Sequence, residues 1–513
     1  MTITSHASGS NKGTKLEVRS PLTGELLATL PVHTAEDVQA AVARGRRAAE
    51  VWGELTCKER RAHLLDYRRE LVRRMDEIVD TVHNENGKTR ADAAQELLLV
   101  LNHLTHAANR AQKLLKPRAV SSGLLANYRS RVSYLPYGVI GVIGPWNYPL
   151  HTPMGSISYA LAAGNAVVFK PSELTPLSGK LLVDCAQAAI PIPDLVQLVT
   201  GHGETGAALA RAHVDKVAFT GSAATGRRVM AAAAENLTPV LLELGGKGPA
   251  IVAADADLDR AATSIVFGAF MNSGQACIST ERVFVVDAVY DALVAKVVER
   301  VRALKVGSDD RAHYGAMTLE RQIERVREHV AEALDKGARA IVGGLDSFKG
   351  RFVEPIVLVD VAPSMKVMRD ETFGPVLPIA KVTSLDEAVR LANESSFGLG
   401  SAIFTKGDGE QLAARIRTGM TSINAVAAYA AIPGLPFGGV GESGFGRIHG
   451  DEGILEFVRV KATALERFVL PGFGMAFAEP EKALAQTKQL INALYAGSAV
   501  DGLTNVMRKL VGG

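Results

Sequence analysis

Between Tyr134 and Leu244 the chain alternates short apolar runs with alanine-rich stretches of helical spacing. The runs are rich in β-branched residues and too short for buried helices, so they predict β-strands. Strands that alternate with helices form a parallel sheet whose crossover helices cover its faces, which predicts an α/β fold. The predicted strands are 139–142, 166–169, 196–199 and 216–219.

A second alternation of this kind extends from residue 250 to about residue 424 and predicts a second α/β domain. Amphipathic helices, such as the one predicted at 287–304, separate its apolar runs. Beyond about residue 466 a helical pattern ends in the basic pair Arg508-Lys509, which we interpret as an appended tail. The predicted strands of this domain are 282–285, 340–342 and 422–424.

The N-terminal part has a different pattern. The stretch 20–24 lies between two apolar runs and has the composition of a turn, which predicts a β-hairpin. Thr34, with Asp37 three residues later, resembles a helix capping box, and helical spacing then continues to about residue 115. Residues 87–89 resemble the end of a phosphate loop, but Val82 replaces its first glycine, so we predict an ordinary turn.

The composition excludes several classes of protein. A chain of 513 residues with 47% hydrophobic residues can fill about two or three packed units. A formal charge of +3 without a long basic run predicts no nucleic-acid partner. The three cysteines are too scattered for a disulfide framework or a CxxC metal site, so we expect no metal centre and a reducing, cytoplasmic setting.

Neither a secretory signal nor a membrane span is expected. The first fourteen residues are polar and lack the apolar stretch of a signal peptide. The longest apolar runs fall well short of the roughly 20 residues that span a bilayer.

Glycine- or proline-containing turns follow the strands of the first domain, at the edge of a parallel sheet where ligands bind. Gly221 and Gly226 separate a strand from an alanine-rich helix, and this spacing lets a phosphate approach a helix N-terminus. No Lys-Ser/Thr pair follows, so the motif is not a Walker loop. Lys170 and Glu173 offer a cation and an acceptor for ribose hydroxyls, although a solvated surface charge is the usual fate of both types.

Cys277 follows the polar stretch 272–276, which predicts a turn and not an apolar face. A nucleophilic thiol has to be accessible and close to groups that favour the thiolate. A buried packing cysteine is the alternative, since cysteine is among the most buried residue types. That interpretation suits Cys57 and Cys185, which lie in helical patterns.

Two further polar residues lie at predicted strand ends. Glu243 follows an apolar run and precedes a glycine turn, where a carboxylate could move and, with a raised pKa, act as a general base. Asn147 follows a proline and a tryptophan, where its amide could donate to an oxyanion. A surface glutamate and a turn-forming asparagine are the alternatives.

These residues belong to seven motifs in a definite order: GPWNYP (144–149), FKPSE (169–173), FTGS (219–222), LELGGK (242–247), GQAC (274–277), ETFGP (371–375) and PFGG (436–439). The series resembles the aldehyde dehydrogenase superfamily over nearly the whole chain. The separation of base and nucleophile, 277 − 243 = 34, also matches the family pattern. The residues in and around these motifs are most similar to those of the class 3 and fatty-aldehyde branch, and succinic semialdehyde dehydrogenases are also similar.

The resemblance implies NAD(P)-dependent oxidation of an aldehyde to a carboxylic acid through a thiohemiacetal and a thioester on Cys277. It implies that Asn147 and the Cys277 NH hold the oxyanion, and that Glu243 activates the water that releases the acid. CoA-acylating relatives generally lack this carboxylate, so hydrolysis is expected.

The resemblance also implies contacts to the adenosine ribose, the pyrophosphate and the nicotinamide riboside. NAD is the expected cofactor because Glu173 should repel a 2′-phosphate, with NADP as the alternative. The implied contact residues are Trp146, Lys170, Ser172, Glu173, Gly221, Ser222, Thr225, Gly226, Leu244, Glu371 and Phe373.

The family fold implies a Rossmann-like cofactor-binding domain over 15–116 and 138–244, and an α/β catalytic domain over 245–450. A small bridging β element would draw on 117–137 and 455–466, which implies a dimer or tetramer. The tail, 467–513, would either pack on its own body or contact a membrane surface as an amphipathic helix.

The substrate is the least determined part of the prediction. Succinic semialdehyde dehydrogenases that carry an arginine for the substrate carboxylate would place it near Gly155, which cannot serve this purpose. Leu150 and Met154 add apolar character, so we expect a medium-chain, long-chain or aromatic aldehyde, with succinic semialdehyde as the alternative. A silent binding protein on the same fold, or a cysteine esterase, is the alternative of another class.

Overall fold

The structure is a computed structural model that describes residues 15–469 and 479–496. The described residues divide into two compact units, residues 15–116 with 134–460 and residues 117–133 with 461–469 and 479–496. The finer division into a cofactor-binding and a catalytic domain at residue 244 stays a prediction.

The described residues contain twenty strands. In chain order they are β1 (Lys15–Arg19), β2 (Leu26–Pro31), β3 (Arg118–Val120), β4 (Tyr128–Pro136), β5 (Val139–Ile143), β6 (Ala166–Lys170), β7 (Val196–Leu198), β8 (Lys216–Thr220), β9 (Val240–Glu243), β10 (Gly248–Val252), β11 (Thr280–Val286), β12 (Arg339–Val342), β13 (Phe348–Lys349), β14 (Phe352–Val353), β15 (Ile356–Val359), β16 (Val376–Val382), β17 (Gly400–Phe404), β18 (Met420–Ile423), β19 (Gly444–Phe445) and β20 (Val458–Glu466).

The same residues form seventeen α-helices. They are α1 (Ala35–Glu54), α2 (Cys57–Arg73), α3 (Met75–Asn86), α4 (Arg90–Leu114), α5 (His151–Ala163), α6 (Pro176–Ala189), α7 (Gly203–Arg211), α8 (Ala223–Ala234), α9 (Leu258–Phe270), α10 (Tyr290–Arg302), α11 (Glu320–Asp335), α12 (Lys366–Arg369), α13 (Leu385–Asn393), α14 (Gly409–Ala413), α15 (Ala428–Ala431), α16 (Gly450–Leu455) and α17 (Pro480–Tyr495).

The N-terminal predictions are confirmed. β1 and β2 pair antiparallel on either side of the predicted turn. Thr34 Oγ1 accepts from the Asp37 backbone NH at 3.3 Å, and Asp37 Oδ2 accepts from the Thr34 NH at 2.9 Å, so this capping box begins α1. Helices then continue to Leu114.

The first large sheet has six strands in the order β19-β9-β8-β5-β6-β7. All its pairs are parallel except β19 with β9. The four predicted strands are confirmed as β5, β6, β7 and β8. Every residue of β5 and β6 is buried, because helices cover both faces of a parallel sheet.

The second large sheet has seven strands in the order β12-β15-β16-β11-β10-β17-β18, and all pairs except β12 with β15 are parallel. The three predicted strands are confirmed as β11, β12 and β18. The sequence did not predict β10, β15, β16 and β17, because proline or glycine interrupts or borders their short apolar runs.

A third sheet has the order β20-β4-β3. After Val458 every residue of β20 is exposed in the single chain. In the tail, α17 exposes Leu484, Ile491 and Tyr495. Contact of this helix with a membrane surface stays a prediction. In the part of the chain that the structure describes, every helix is too short or too polar to cross a bilayer.

Candidate functional site

A cavity of about 1130 Å³ lies beside the strand ends of the first sheet. It gathers twelve of the fourteen predicted site residues, and the two outside its lining are Glu243 and Gly226. The lining residues among those predicted are Trp146, Asn147, Lys170, Ser172, Glu173, Gly221, Ser222, Thr225, Leu244, Cys277, Glu371 and Phe373.

The glycine motif of this cavity forms the beginning of α8. Ser222 caps the helix by accepting from the Thr225 backbone NH at 3.3 Å. A Cβ at Gly226 would lie 2.6 Å from Leu244 Cδ2, so the glycine allows the helix to pack closely against Leu244. Ser222 and Thr225 of this first turn line the cavity, and a helix N-terminus suits a phosphate.

Lys170 and Glu173 form an ion pair of 3.4 Å at the end of β6. Lys170 is buried, whereas the Glu173 side chain is 42% exposed. Burial opposes ionisation of Glu173, but Lys170 and the glutamate's own backbone NH together hold its pKa below the ordinary value. The cavity wall therefore carries an anionic acceptor next to a fixed cation.

Cys277 follows a turn of left-handed backbone. Asn272, Ser273 and Gly274 have φ angles of 50°, 59° and 70°. At Gly274 only glycine fits, because a Cβ would overlap the Gly374 carbonyl. Strain in the two non-glycine residues, of roughly 1–3 kcal/mol each, is offset by side-chain hydrogen bonds. Ser273 Oγ donates to the Gly315 carbonyl at 2.9 Å.

The surroundings of Cys277 do not favour the thiolate, contrary to expectation. Burial raises the pKa of Cys277 to about 12, and Glu371 and Glu243 add to the increase. The backbone NH groups of Cys277 and Ile278 act in the opposite direction but are outweighed. The half-buried thiol is therefore protonated at neutral pH, and a reaction at its sulfur needs a proton acceptor.

Hydrogen bonds hold both the backbone carbonyl and the side-chain amide of Asn147. Its carbonyl accepts from Lys88 Nζ at 2.9 Å and from Asn272 Nδ2 at 3.0 Å. Its own Nδ2 donates to the Gln275 carbonyl at 3.0 Å. A side-chain amide has two hydrogens, so one remains for a group in the cavity.

The support from Lys88 was not predicted. The turn at 87–89 is confirmed, since Gly87 ends α3 with φ 91° and Thr89 caps α4. Lys88, however, is buried and pairs with Glu96 at 2.7 Å. Glu96 also accepts from the backbone NH groups of Leu150 and His151 at 2.7 and 2.9 Å. Local sequence carries no signal for this network, because Lys88 and Glu96 bind residues that lie more than fifty positions further along the chain.

Glu243 ends β9 opposite Gly444 and is only 2% exposed. Neither of its carboxylate oxygens has a hydrogen-bond partner among the described residues. Burial raises its pKa well above the ordinary value; Arg447 opposes the rise and Glu456 adds to it. The raised pKa agrees with the expectation, but the side chain lies outside the cavity lining.

Two hydrogen bonds fix the backbone of the glycine turn that follows Glu243. Gly246 NH donates to Glu371 Oε1 at 2.9 Å, and the Gly245 carbonyl accepts from Ser443 Oγ at 2.7 Å. Burial, together with the charge of Glu281, raises the pKa of Glu371 to about 7. Movement of Glu243 therefore has to come from its side-chain torsions.

A second buried carboxylate, Glu281, supports the opposite wall. It pairs with Lys247 at 2.6 Å and accepts from the backbone NH groups of Thr372 and Phe373 at 2.8 Å each. These bonds fix Phe373 at φ 54°, where its ring meets Trp146 edge-on at 5.6 Å. Sequence reasoning missed Glu281, although it lies four residues after Cys277 in the chain.

The chain is similar to several known proteins. The profile of the "Aldehyde dehydrogenase family" matches residues 7–463. The chain is 43% identical over 450 residues to the 4,4'-diapolycopene aldehyde oxidase of Methylomonas sp, which covers 86% of this chain and 84% of the relative.

Two solved structures are also similar. The succinate-semialdehyde dehydrogenase from Burkholderia pseudomallei has a TM-score of 0.84 and 34% identity, and the match covers 89% of this chain and 95% of that one. The NADP-dependent glyceraldehyde-3-phosphate dehydrogenase from Bacillus halodurans C-125, solved with NADP, has a TM-score of 0.85 and 34% identity, over 89% and 97% of the chains.

Proposed function

The chain belongs to the aldehyde dehydrogenase family and is an NAD(P)-dependent enzyme, and on this basis we propose that it oxidises an apolar aldehyde through a thioester on Cys277. The observation that carries the proposal is that Cys277 and Asn147 line one cavity together with the residues suited to a dinucleotide. The first turn of α8 suits its pyrophosphate, and Lys170 and Glu173 suit its ribose.

In the first half of the reaction, the Cys277 thiol gives its proton to solvent water and Sγ adds to the aldehyde carbon. The remaining hydrogen of the Asn147 amide and the Cys277 NH stabilise the resulting oxyanion. NAD(P), when bound, supplies the acceptor for the hydrogen and electron pair that leave this carbon. Collapse of the oxyanion restores the carbonyl and leaves the acyl group on Cys277 as a thioester.

In the second half, Glu243 removes a proton from the water that attacks the thioester carbon. The bond between this carbon and Sγ then breaks, which releases the acid and regenerates the Cys277 thiol. The buried, unpartnered carboxylate supports this role, because only a base with a raised pKa can take protons effectively near neutral pH. Its side chain has to rotate toward the cavity, and the absence of hydrogen bonds to hold it makes that rotation inexpensive.

Decanal with NAD, monitored by the absorbance of the reduced cofactor, tests this scheme. Cys277→Ala should lose turnover by at least about 10⁴-fold, since the nucleophile is removed. Glu243→Gln should give a burst of reduced cofactor, stoichiometric with enzyme, followed by slow release of acid. Cys185→Ala, a buried thiol outside the cavity, is the matched control and should keep wild-type turnover.

Other outcomes would overturn specific parts of the scheme. Equal steady rates for the wild type and Glu243→Gln would exclude the glutamate as the base. Acid formation without any nicotinamide cofactor would favour a cysteine esterase. No turnover with any member of a broad aldehyde panel would favour a silent binding protein.

The substrate class rests first on the surroundings of Gly155, the position where an arginine for a substrate carboxylate would be expected. At Gly155, a Cβ would already lie 2.9 Å from His449 Nε2 and from Ile448 Cδ1, so no arginine for a substrate carboxylate fits there.

The 43% identity to a diapolycopene aldehyde oxidase, against 38% to a putative succinate-semialdehyde dehydrogenase, supports an apolar substrate. Leu150 and Met154, expected to make the channel apolar, are fully buried core residues outside the cavity lining and add nothing to this argument. A higher kcat/KM for succinic semialdehyde than for decanal would reverse the assignment.

We also propose that the third sheet mediates self-association into a dimer or tetramer. Its strand β20 is exposed along its length, and an exposed edge strand offers unpaired backbone groups to another chain. A monomeric mass by light scattering at micromolar concentration would exclude this.

A further inference from the structure

Three histidines from separate segments meet beside the beginning of α5. His103 belongs to α4, His151 begins α5, and His449 precedes α16. One ring nitrogen of each lies within 4.8 Å of a ring nitrogen of the other two. The ring centroids of His103 and His449 are 3.7 Å apart, and those of His151 and His449 are 5.4 Å apart.

The nitrogens of this cluster lack partners to an unusual degree. His449 is fully buried, and neither of its ring nitrogens has a hydrogen-bond partner among the described residues. Nδ1 of His151 has none either. A buried polar atom without a partner is unfavourable, so these nitrogens favour a ligand that can accept their lone pairs. Only His103 is satisfied, by Tyr159 and the Ala430 carbonyl.

The backbone at His449 adds a second observation. Its φ is 63°, a backbone conformation that residues other than glycine rarely adopt. This conformation directs the imidazole inward, and Nε2 lies where a Cβ at Gly155 would come within 2.9 Å. Gly155 therefore provides the space that the ring occupies.

Each ring can offer a nitrogen lone pair to a metal, and the hydrogen bonds of His103 identify which nitrogen offers it. The Ala430 carbonyl only accepts, so His103 Nε2 is the donor in that bond of 2.9 Å, and the lone pair is on Nδ1. His103 Nδ1 lies 3.2 Å from the Tyr159 hydroxyl, which a metal ion would replace as its partner.

We propose that His103, His151 and His449 bind one divalent transition metal ion, of the class of Zn²⁺. Imidazole nitrogens are its favoured neutral ligands, and a three-histidine set leaves a fourth position for water or hydroxide. In a tetrahedral site the nitrogens lie about 3.4 Å apart, so the rings have to move by roughly 1 Å or less.

Such an ion would join three segments that surround the oxyanion donor. His151 follows Asn147 by four residues, and its backbone NH already bonds to Glu96, which pairs with Lys88. The metal would act as a clip between α4, the first turn of α5 and the loop before α16. This proposal does not depend on the aldehyde chemistry.

Co²⁺ titration of the full chain, followed by visible absorption and by metal analysis after dialysis, tests the site. Cys277→Ala serves as the background, because it removes the active-site thiol as a competing ligand. We expect one equivalent of Co²⁺ with the absorption of a tetrahedral nitrogen site, displaced by Zn²⁺. Replacement of His449, His151 or His103 by glutamine should weaken binding by more than about 100-fold, since loss of even an outer-shell partner costs about 10–100-fold.

His213→Gln, which changes an exposed histidine, is the matched control and should bind Co²⁺ as the background protein does. Zn²⁺ should also raise the Tm of the background protein and leave that of the histidine variants unchanged. If the background protein binds no Co²⁺, the proposal is overturned, whatever the folding of the variants. It is also overturned if all three glutamine variants bind Co²⁺ as tightly as the background protein does.

Discussion

Glu243 and Glu281 are both buried carboxylates in the region of Cys277, yet their surroundings are built in opposite ways. Glu281 has a lysine and two backbone NH groups within 2.8 Å. Glu243 has no hydrogen-bond partner in the part of the chain described, and its pKa is well above the ordinary value. A fully paired carboxylate fixes the wall of the site, whereas an unpaired one is costly to keep and is free to take part in chemistry.

The largest expected contrast is in stability. Glu281→Gln should lower the free energy of unfolding by about 3–5 kcal/mol, because it leaves the buried Lys247 without its counter-charge. Glu243→Gln should not lower it, because no hydrogen bond is lost and the neutral amide removes the cost of a carboxyl group whose pKa is raised by burial. Urea denaturation followed by circular dichroism measures both, and equal losses would remove the distinction between the two regions.

The next effect concerns the donor beside Cys277. Asn147→Ala should lower kcat by about 10²–10³-fold, the usual cost of one oxyanion donor, with little change in cofactor affinity. Asn165→Ala is the control, since Asn165 is also buried but does not line the cavity, and its side chain makes three hydrogen bonds against one for Asn147. Similar losses of kcat in both variants would indicate a packing effect and not oxyanion binding.

The pH profile sharpens the comparison further. Glu243 has to be ionised to accept a proton, so steady turnover should increase up to tenfold per pH unit until the pH reaches its raised pKa. The same residue makes stability fall as the pH rises from about 4.5 to that pKa, because the native state holds its proton more tightly than the unfolded state. Glu243→Gln should remove this part of both dependences, and an unchanged rate profile would point to another base.

The smallest effect concerns cofactor choice. Glu173→Gln removes a negative charge from the ribose site, so the preference for NAD over NADP should fall by roughly tenfold at low salt. Glu204→Gln, an exposed glutamate in the first turn of α7, is the control. A preference that stays constant in Glu173→Gln would assign the discrimination to other residues, such as the cavity-lining Arg211 or Arg228.

Much of the fold followed from local pattern. All seven predicted strands occur, because each has a β-branched apolar run bounded by turn residues. Four strands of the second sheet were missed, and β16 illustrates the reason: Pro378 interrupts its run, yet pairing with β11 and β15 keeps it in the sheet. Long-range pairing can override a weak local preference, and local pattern cannot report it.

The sequence by itself identified the three residues that we propose for the chemistry. Asn147, Glu243 and Cys277 lie in motifs whose order and spacing are written in the chain, and a parallel sheet brings its strand ends to one edge. Only the tertiary structure decided which buried groups support them. Lys88 with Glu96, Lys247 with Glu281, and His103 with His151 and His449 are brought together by packing. The physical reason is that a buried polar atom is satisfied by any partner close in space, and the distance along the chain places no constraint on that choice.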